Sequence, residues 1–164
     1  MTENMTLDPM SREILIRLQE DGRMSFRSLA ETLHTSLTSV QTRIKKLTDG
    51  GIIRRYQAIL ECSKLGYREM LMLHCRVNTN IPIEKVLQTL EQIPDIKMLY
   101  MTTGDYPVFV MAKCLSKEEQ IVLLEHIRQT EGIEDIRTQI VMKKVKEDLR
   151  VKIPESVSNQ NCES

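Results

Sequence analysis

Apolar residues in the first fifty positions of this 164-residue chain recur every three or four residues, in three short stretches separated by polar turns. This spacing predicts three short amphipathic helices. Asp8 and Pro9 begin the first stretch and Ser25 precedes the second, as expected of helix N-termini. Only the tight connection from His34 to Ser36 separates the second stretch from the third. Three short helices with such a connection predict a helix-turn-helix.

The third helix is expected to have two contrasting faces. Its inward stripe is apolar and consists of Leu37, Val40, Ile44 and Leu47. Its outward stripe is polar, with side chains that can hydrogen-bond base edges or phosphates, and consists of Thr38, Gln41, Thr42 and Lys45. Gly50 and Gly51 end the helix.

Basic residues are concentrated on and just after this helix, although Lys plus Arg equals Asp plus Glu over the whole chain. A solvated polar face, which any surface helix can have, is the alternative interpretation. The three-helix frame and the local charge together favour binding to double-stranded DNA. The predicted contact residues are Ser36, Thr38, Ser39, Gln41, Thr42, Arg43, Lys45, Lys46, Arg54 and Arg55.

After Gly51 the pattern changes to alternating strands and helices. Residues 52–60 predict a strand or an extended hinge, followed by a strand over 70–77, a helix that opens at Pro82 and a strand over 96–103. A strand over 106–114, a helix capped by Ser116 and a final strand from Glu134 towards Val145 complete the order β-α-β-β-α-β. This order is the ferredoxin-like plan.

Several ordered motifs carry a family resemblance. They are Leu7-Asp8-x-x-x-Arg12-Glu13-Ile14-Leu15, Asp21-Gly22-Arg23, Leu29-Ala30, Ser36-x-x-x-Val40-x-x-Arg43-Ile44-x-x-Leu47-x-x-x-Gly51-Ile52-Ile53, Leu65-Gly66-Tyr67 and Thr103-Gly104-Asp105-Tyr106. Over nearly its whole length the chain resembles the leucine-responsive regulatory protein and asparagine-sensor (Lrp/AsnC, or feast/famine) family of bacterial and archaeal regulators.

The resemblance implies an α+β protein with a winged helix-turn-helix domain at residues 1–53, a hinge strand or linker at 54–66 and a ferredoxin-like effector-binding and oligomerisation domain at 67–152. Residues 153–164 lack apolar periodicity and are expected to be a disordered tail. The resemblance also implies homodimers, assembled further into tetramers or octamers, and an amino acid or small metabolite as effector. The expected effector residues are Thr102, Thr103, Gly104, Asp105, Tyr106 and Pro107.

Three positions depart from the family pattern. Pro107 stands where the family commonly has Asp, which removes a carboxylate and a backbone N–H from the effector turn. His34 replaces a frequent Gly and Leu37 a frequent Pro, both near the start of the third helix.

Two other functions remain open from the sequence. Siroheme decarboxylases have a similar two-domain scaffold and a sequence segment similar to Gly51–Tyr56 of this chain. They typically carry a His where this chain has Cys62. A thiol-based redox sensor would use Cys62 or Cys75. Because no set of catalytic residues or closely spaced Cys and His pairs is evident, we expect no enzyme activity, cofactor or metal. Without an apolar run of about 20 residues or a signal peptide, we expect a cytoplasmic protein and no membrane partner.

Overall fold

The computed structural model describes residues 7–155 and divides them into two compact units. Unit 1 comprises residues 7–59 and 148–155, and unit 2 comprises Leu60–Glu147. The chain returns to unit 1 after Glu147.

Unit 1 contains three helices, each with a side chain that caps its N-terminus. The helices are α1 (Pro9–Glu20), α2 (Phe26–Thr32) and α3 (Leu37–Asp49). Their caps are Asp8, Ser25 and Ser36, and each side-chain oxygen accepts a backbone N–H from the first turn of its helix. The helix-turn-helix expected from the sequence is therefore present.

The core of unit 1 is built from the apolar stripes of the three helices. Its buried residues are Leu7, Ile14, Leu15, Leu29, Ala30, Val40, Ile44, Leu47 and Ile153. Ile153 had been assigned to a disordered tail, and its burial corrects that expectation for the first residues of the segment. The rest of the expected tail, residues 156–164, lies outside the described residues.

The connection between α2 and α3 departs from the sequence prediction at one residue. Leu37 was expected in the inward stripe of α3, but as its first residue it keeps 40% of its surface exposed. His34 has a φ of +49°, the only such non-glycine residue described. A left-handed backbone at this point explains why a glycine would suit the position.

Of the two expectations for residues 52–60, a strand or an extended hinge, the structure has the hinge, since no ladder of hydrogen bonds joins them to another strand in the described part of the chain. Most of this hinge segment is exposed, including the apolar side chains of Ile59 and Leu60. A short 3-10 helix, Cys62–Leu65, follows it.

Unit 2 is an antiparallel sheet with two helices, in the expected β-α-β-β-α-β order. Its elements are β1 (Glu69–Val77), α4 (Ile83–Glu91), β2 (Ile96–Met101), β3 (Val108–Cys114), α5 (Lys117–Gln129) and β4 (Ile133–Ile140). The strands lie in the order β2-β3-β1-β4, with the two central strands paired from Glu69 with Cys114 to Cys75 with Val108. The last strand ends at Ile140 rather than near Val145.

One face of this sheet packs against the helices, and alternate residues point the other way. Leu71, Leu73, Val108 and Val110 are fully buried beneath α4 and α5. The alternating residues form an opposite surface, here called the open face, which consists of Met72, His74, Met98, Tyr100, Phe109, Met111 and Arg137.

Candidate functional site

The outward side of α3 gathers most of the predicted DNA-contacting residues. Ser36, Thr38, Gln41, Thr42, Lys45 and Lys46 are all exposed. Ser36 caps the helix, since its hydroxyl accepts the N–H of Ser39 at 3.1 Å. Lys45 pairs with Asp49 at 2.6 Å, and because both side chains are well exposed this ion pair can exchange for contacts to a ligand at little cost.

Arg43 and Ser39 lie differently, since both are half-buried and bonded within unit 1. The Arg43 guanidinium donates to the Ser39 hydroxyl at 2.5 Å and to the carboxylate of Asp8 at 3.3 Å. Asp8 is also the N-cap of α1, so this network ties the start of α1 to α3. The two residues thus position the helix rather than extend from it.

Hydrogen bonds decide the ionisation of Asp8. Burial alone would raise the pKa of this carboxyl group, but hydrogen bonds from Ser11, together with the hydrogen bond and charge of Arg43, lower the pKa below its ordinary value of 3.8. The carboxylate therefore stays charged at neutral pH, which strengthens its contact with Arg43.

Arg54 and Arg55 lie in the exposed hinge segment, and neither has a hydrogen bond or ion pair among the described residues. Their side chains are free to reach a polyanion. The structure thus places five predicted residues on the exposed side of α3 and Ser36 at its N-cap, two more, Ser39 and Arg43, in the contact of α3 with α1, and two in the hinge.

The predicted effector residues form one turn between β2 and β3. The N–H of Thr102 donates to the carbonyl of Pro107 at 2.7 Å, and the Thr102 hydroxyl donates to the carbonyl of Tyr106 at 3.3 Å. Gly104 has a φ of +103°, and a Cβ there would meet nothing within 4 Å. Backbone conformation rather than space therefore favours glycine. The side chains from Thr102 to Asp105 are exposed.

Tyr106 is anchored to neighbouring strands instead of pointing freely from the turn. Its hydroxyl donates to the carboxylate of Asp135 at 2.5 Å, and the guanidinium carbon of Arg137 lies 4.0 Å from its ring centroid. The hydrogen bond from Tyr106 holds the pKa of Asp135 below its ordinary value, and the charges of Arg76 and Arg137 act in the same direction. This cluster fixes the end of the turn against β4.

The sequence analysis missed Asp8, Asp135 and Arg137 as parts of these sites. Asp8 was recognised only as a helix cap, and its contact with Arg43 spans 35 positions that no local pattern can join. Asp135 and Arg137 alternate on β4, and only the pairing of that strand with β1 places them near Tyr106.

Among residues 7–155, Cys62, Cys75 and Cys114 are all free cysteines. Burial, and to a lesser degree the charge of Asp135, raises the pKa of the Cys75 thiol to about 11, so it stays protonated at neutral pH. Cys62 is half-buried, and the ammonium of Lys113 lies 3.5 Å from its sulfur.

Within residues 7–155, no three His, Cys, Asp or Glu side chains gather in a set that would hold a metal ion. No helix in that same range is long and apolar enough to cross a membrane.

Two family models match the chain, one over most of unit 1 and the other over most of unit 2. The model described as winged helix-turn-helix DNA-binding matches residues 7–54, and the Lrp/AsnC ligand binding domain matches residues 69–151. The chain belongs to the Lrp/AsnC family. It is a transcriptional regulator with a DNA-binding domain and a ligand-binding domain, as its sequence motifs predicted.

Similar Lrp/AsnC proteins span almost the whole chain. The HTH-type transcriptional regulator FL11 from Pyrococcus abyssi is 32% identical over 149 residues, which cover 91% of this chain and 98% of that protein. The structure of E. coli AsnC has a TM-score of 0.79 at 26% identity, with 90% and 98% of the two chains covered. A Neisseria meningitidis regulator in complex with L-Met has a TM-score of 0.82 at 23% identity, with 90% and 97% covered, and shows the same fold. Neither the decarboxylase nor the thiol-sensor alternative gains support from these relatives.

Proposed function

We propose that this Lrp/AsnC regulator reads DNA sequence through the exposed polar stripe of α3. The observation that carries the proposal is the common exposure of Thr38, Gln41, Thr42 and Lys45 on the side of α3 away from the core. A helix with such a face fits the major groove, where side-chain amides and cations bind base edges.

The hinge arginines have a different proposed role. Arg54 and Arg55 are exposed and carry fixed positive charge without acidic partners among the described residues. Contacts of this kind go to phosphates, which hold a protein on DNA without reading its sequence. Gln41 therefore supplies specificity, and the arginines supply affinity.

The experiment is selection of bound fragments from random double-stranded DNA by the wild-type chain and by Gln41→Ala. Gln129→Ala is the matched control, since Gln129 is an exposed glutamine at the end of α5. We expect Gln41→Ala to lose preference at one or more bases of the motif, because a good base contact carries about 1–3 kcal/mol of discrimination. If Gln41→Ala selects the same motif as wild type, Gln41 does not contribute to base recognition. If the wild-type chain enriches no motif at all, sequence-specific binding is refuted.

We propose further that the ligand is an amino acid or a close chemical relative, bound at the turn of residues 102–107. The N. meningitidis regulator with the same fold was solved with L-Met. Exposed backbone N–H groups and the Thr103 hydroxyl beside Gly104 suit a carboxylate, and the exposed Asp105 suits an α-amino group. Pro107 removes one donor, which alters this site relative to the family pattern.

Titration calorimetry with each of the twenty amino acids and common thiol metabolites tests this site. Asp105→Ala should weaken the binding of any hit clearly, since a charge-assisted hydrogen bond contributes about 1.5–3 kcal/mol. Glu131→Ala, which changes an exposed carboxylate paired with Lys85, is the control. If no ligand gives a heat of binding, the turn has only a structural role. If Asp105→Ala binds a ligand with the same affinity as wild type, that ligand binds at another site.

A further inference from the structure

The segment that follows Glu147 is packed into the DNA-binding unit, although it comes after the ligand-binding domain in the chain. Ile153 keeps only 9% of its surface exposed and belongs to the same core as Leu7 and Ile14. Two residues earlier, Val151 points its side chain outward with 66% exposed. Ile153 is therefore the residue that anchors this segment in the core, while residues 148–152 remain exposed.

Backbone groups of the same segment are bonded to α1 along its length. The N–H of Val151 donates to the Gln19 side-chain oxygen at 2.7 Å, and the Gln19 amide donates back to the Val151 carbonyl at 3.0 Å. The Arg12 guanidinium donates to the carbonyl of Ile153 at 3.2 Å. Side chains at both ends of α1 thus hold an extended segment that runs antiparallel to the helix.

α1 is in turn the helix that supports α3. The Asp8 carboxylate at its N-terminus accepts from Arg43, and Ile14 packs in the same core as Val40 and Ile44. A change in the position of α1 therefore reaches the helix proposed to read DNA. With only about 60 residues, a domain of this size is marginally stable, so one more buried side chain matters.

We propose that residues 148–153 form a strap that completes the DNA-binding domain. When the strap is docked along α1, the domain has its full core and binds DNA. When this docking is lost, α1 loosens and DNA affinity falls.

The test uses the full chain with Ile153→Asp, which removes the buried anchor, and with Gln19→Ala, which removes the paired hydrogen bonds without touching the core. Val151→Asp is the matched control, because it adds the same charge to an exposed position of the same strap. Amide hydrogen exchange reports the protection of α1. The affinity for a DNA fragment selected by wild-type protein reports function.

Ile153→Asp should raise amide exchange in α1 and weaken DNA binding by about tenfold or more each, since burying a charge in an apolar core is strongly unfavourable. Gln19→Ala should move both quantities in the same direction by a smaller factor, and it decides the question if Ile153→Asp does not fold. Val151→Asp should stay within about twofold of wild type for both, as surface changes usually do. Unchanged α1 exchange in Gln19→Ala and Ile153→Asp would overturn the proposal, and so would faster exchange with undiminished DNA affinity.

Discussion

Among single residues, Asp8 has two structural roles in the DNA-binding unit. It caps α1 through the N–H groups of Met10 and Ser11, and it accepts from Arg43 of α3. The cap needs only an oxygen, whereas the contact with Arg43 is strengthened by charge. Substitution of Asp8 by an amide therefore separates the two tasks.

Asp8→Asn should keep the cap and lose a pH-dependent part of the stability. Because the folded-state pKa of Asp8 lies below the ordinary value of 3.8, its stabilising contribution is present above pH 3.8 and is lost as the pH falls through the lower folded value. Urea unfolding between about pH 5 and pH 2 should show a smaller acid-induced loss in Asp8→Asn than in wild type. Asp49→Asn, which alters an exposed pair with Lys45, is the control. Identical pH profiles for wild type and Asp8→Asn would contradict the assignment.

The hydroxyl of Tyr106 anchors the turn of residues 102–107 to Asp135. Tyr106→Phe keeps the ring against Arg137 but removes the hydroxyl that donates to Asp135. Since this hydrogen bond is the largest influence on the carboxyl group, the pKa of Asp135 should rise towards its ordinary value of 3.8. Titration of the side-chain carboxyl carbon by NMR measures the shift, with Tyr67→Phe as control. A pKa unchanged by Tyr106→Phe would show that the arginine charges alone hold it down.

At the scale of elements, two glycines with similar backbone angles serve different purposes. Gly104 and Gly132 have φ values of +103° and +97°. A Cβ at Gly104 would meet open space, whereas at Gly132 it would lie 2.8 Å from Val86 and 3.2 Å from Ile81. Only Gly132 therefore combines a left-handed backbone with a close approach to α4.

Gly132→Ala should consequently destabilise the ligand-binding unit more than Gly104→Ala. The alanine at 104 has only the left-handed conformation to overcome, about 1–2 kcal/mol, and at 132 steric overlap adds to it, bringing the total to about 2–5 kcal/mol when overpacking of about 1–3 kcal/mol is included. Chemical denaturation of both variants supplies the comparison. If both lose the same stability, the packing of Val86 against Gly132 is looser than described.

Elements bounded by local signals were predictable from the sequence. Asp8 and Ser25 were recognised as helix starts because a cap acts within three residues. Leu37 was wrongly assigned to the buried stripe of α3, because helical periodicity does not show that the side chain of a first-turn residue can extend beyond the core. The docking of Ile153 was missed because it joins positions about 140 residues apart, as does the bond between Arg12 and Ile153. The spacing of apolar residues in a sequence likewise cannot show whether the hinge segment forms hydrogen bonds with another strand.

For the whole molecule, we propose that two copies of the chain pair through the open face of the sheet. Tyr100 stacks on Phe109 at 6.1 Å between ring centroids, and Phe109 meets His74 edge-on at 5.2 Å. Tyr100 nevertheless remains 52% exposed. Aromatic and methionine side chains on a flat sheet are well suited to burial against a second copy.

Tyr100→Asp should therefore convert a dimer into a monomer, because it would bury an unpaired charge in the interface. Val122→Asp is the matched control, since Val122 is 59% exposed on α5, on the helical side of the sheet. Sedimentation velocity at micromolar concentration distinguishes the two. A wild-type chain that sediments as a monomer would refute dimerisation, and a dimeric Tyr100→Asp would place the interface on another surface.

We propose that a dimer places two copies of α3 on one DNA site, and hydroxyl-radical footprinting of wild-type protein on a selected fragment tests this arrangement. A dimer of this kind predicts two protected half-sites on one face of the duplex, with centres about one turn, roughly 34 Å, apart, and with related sequences in inverted orientation. A single protected half-site, or protection spread evenly over unrelated sequences, would contradict it.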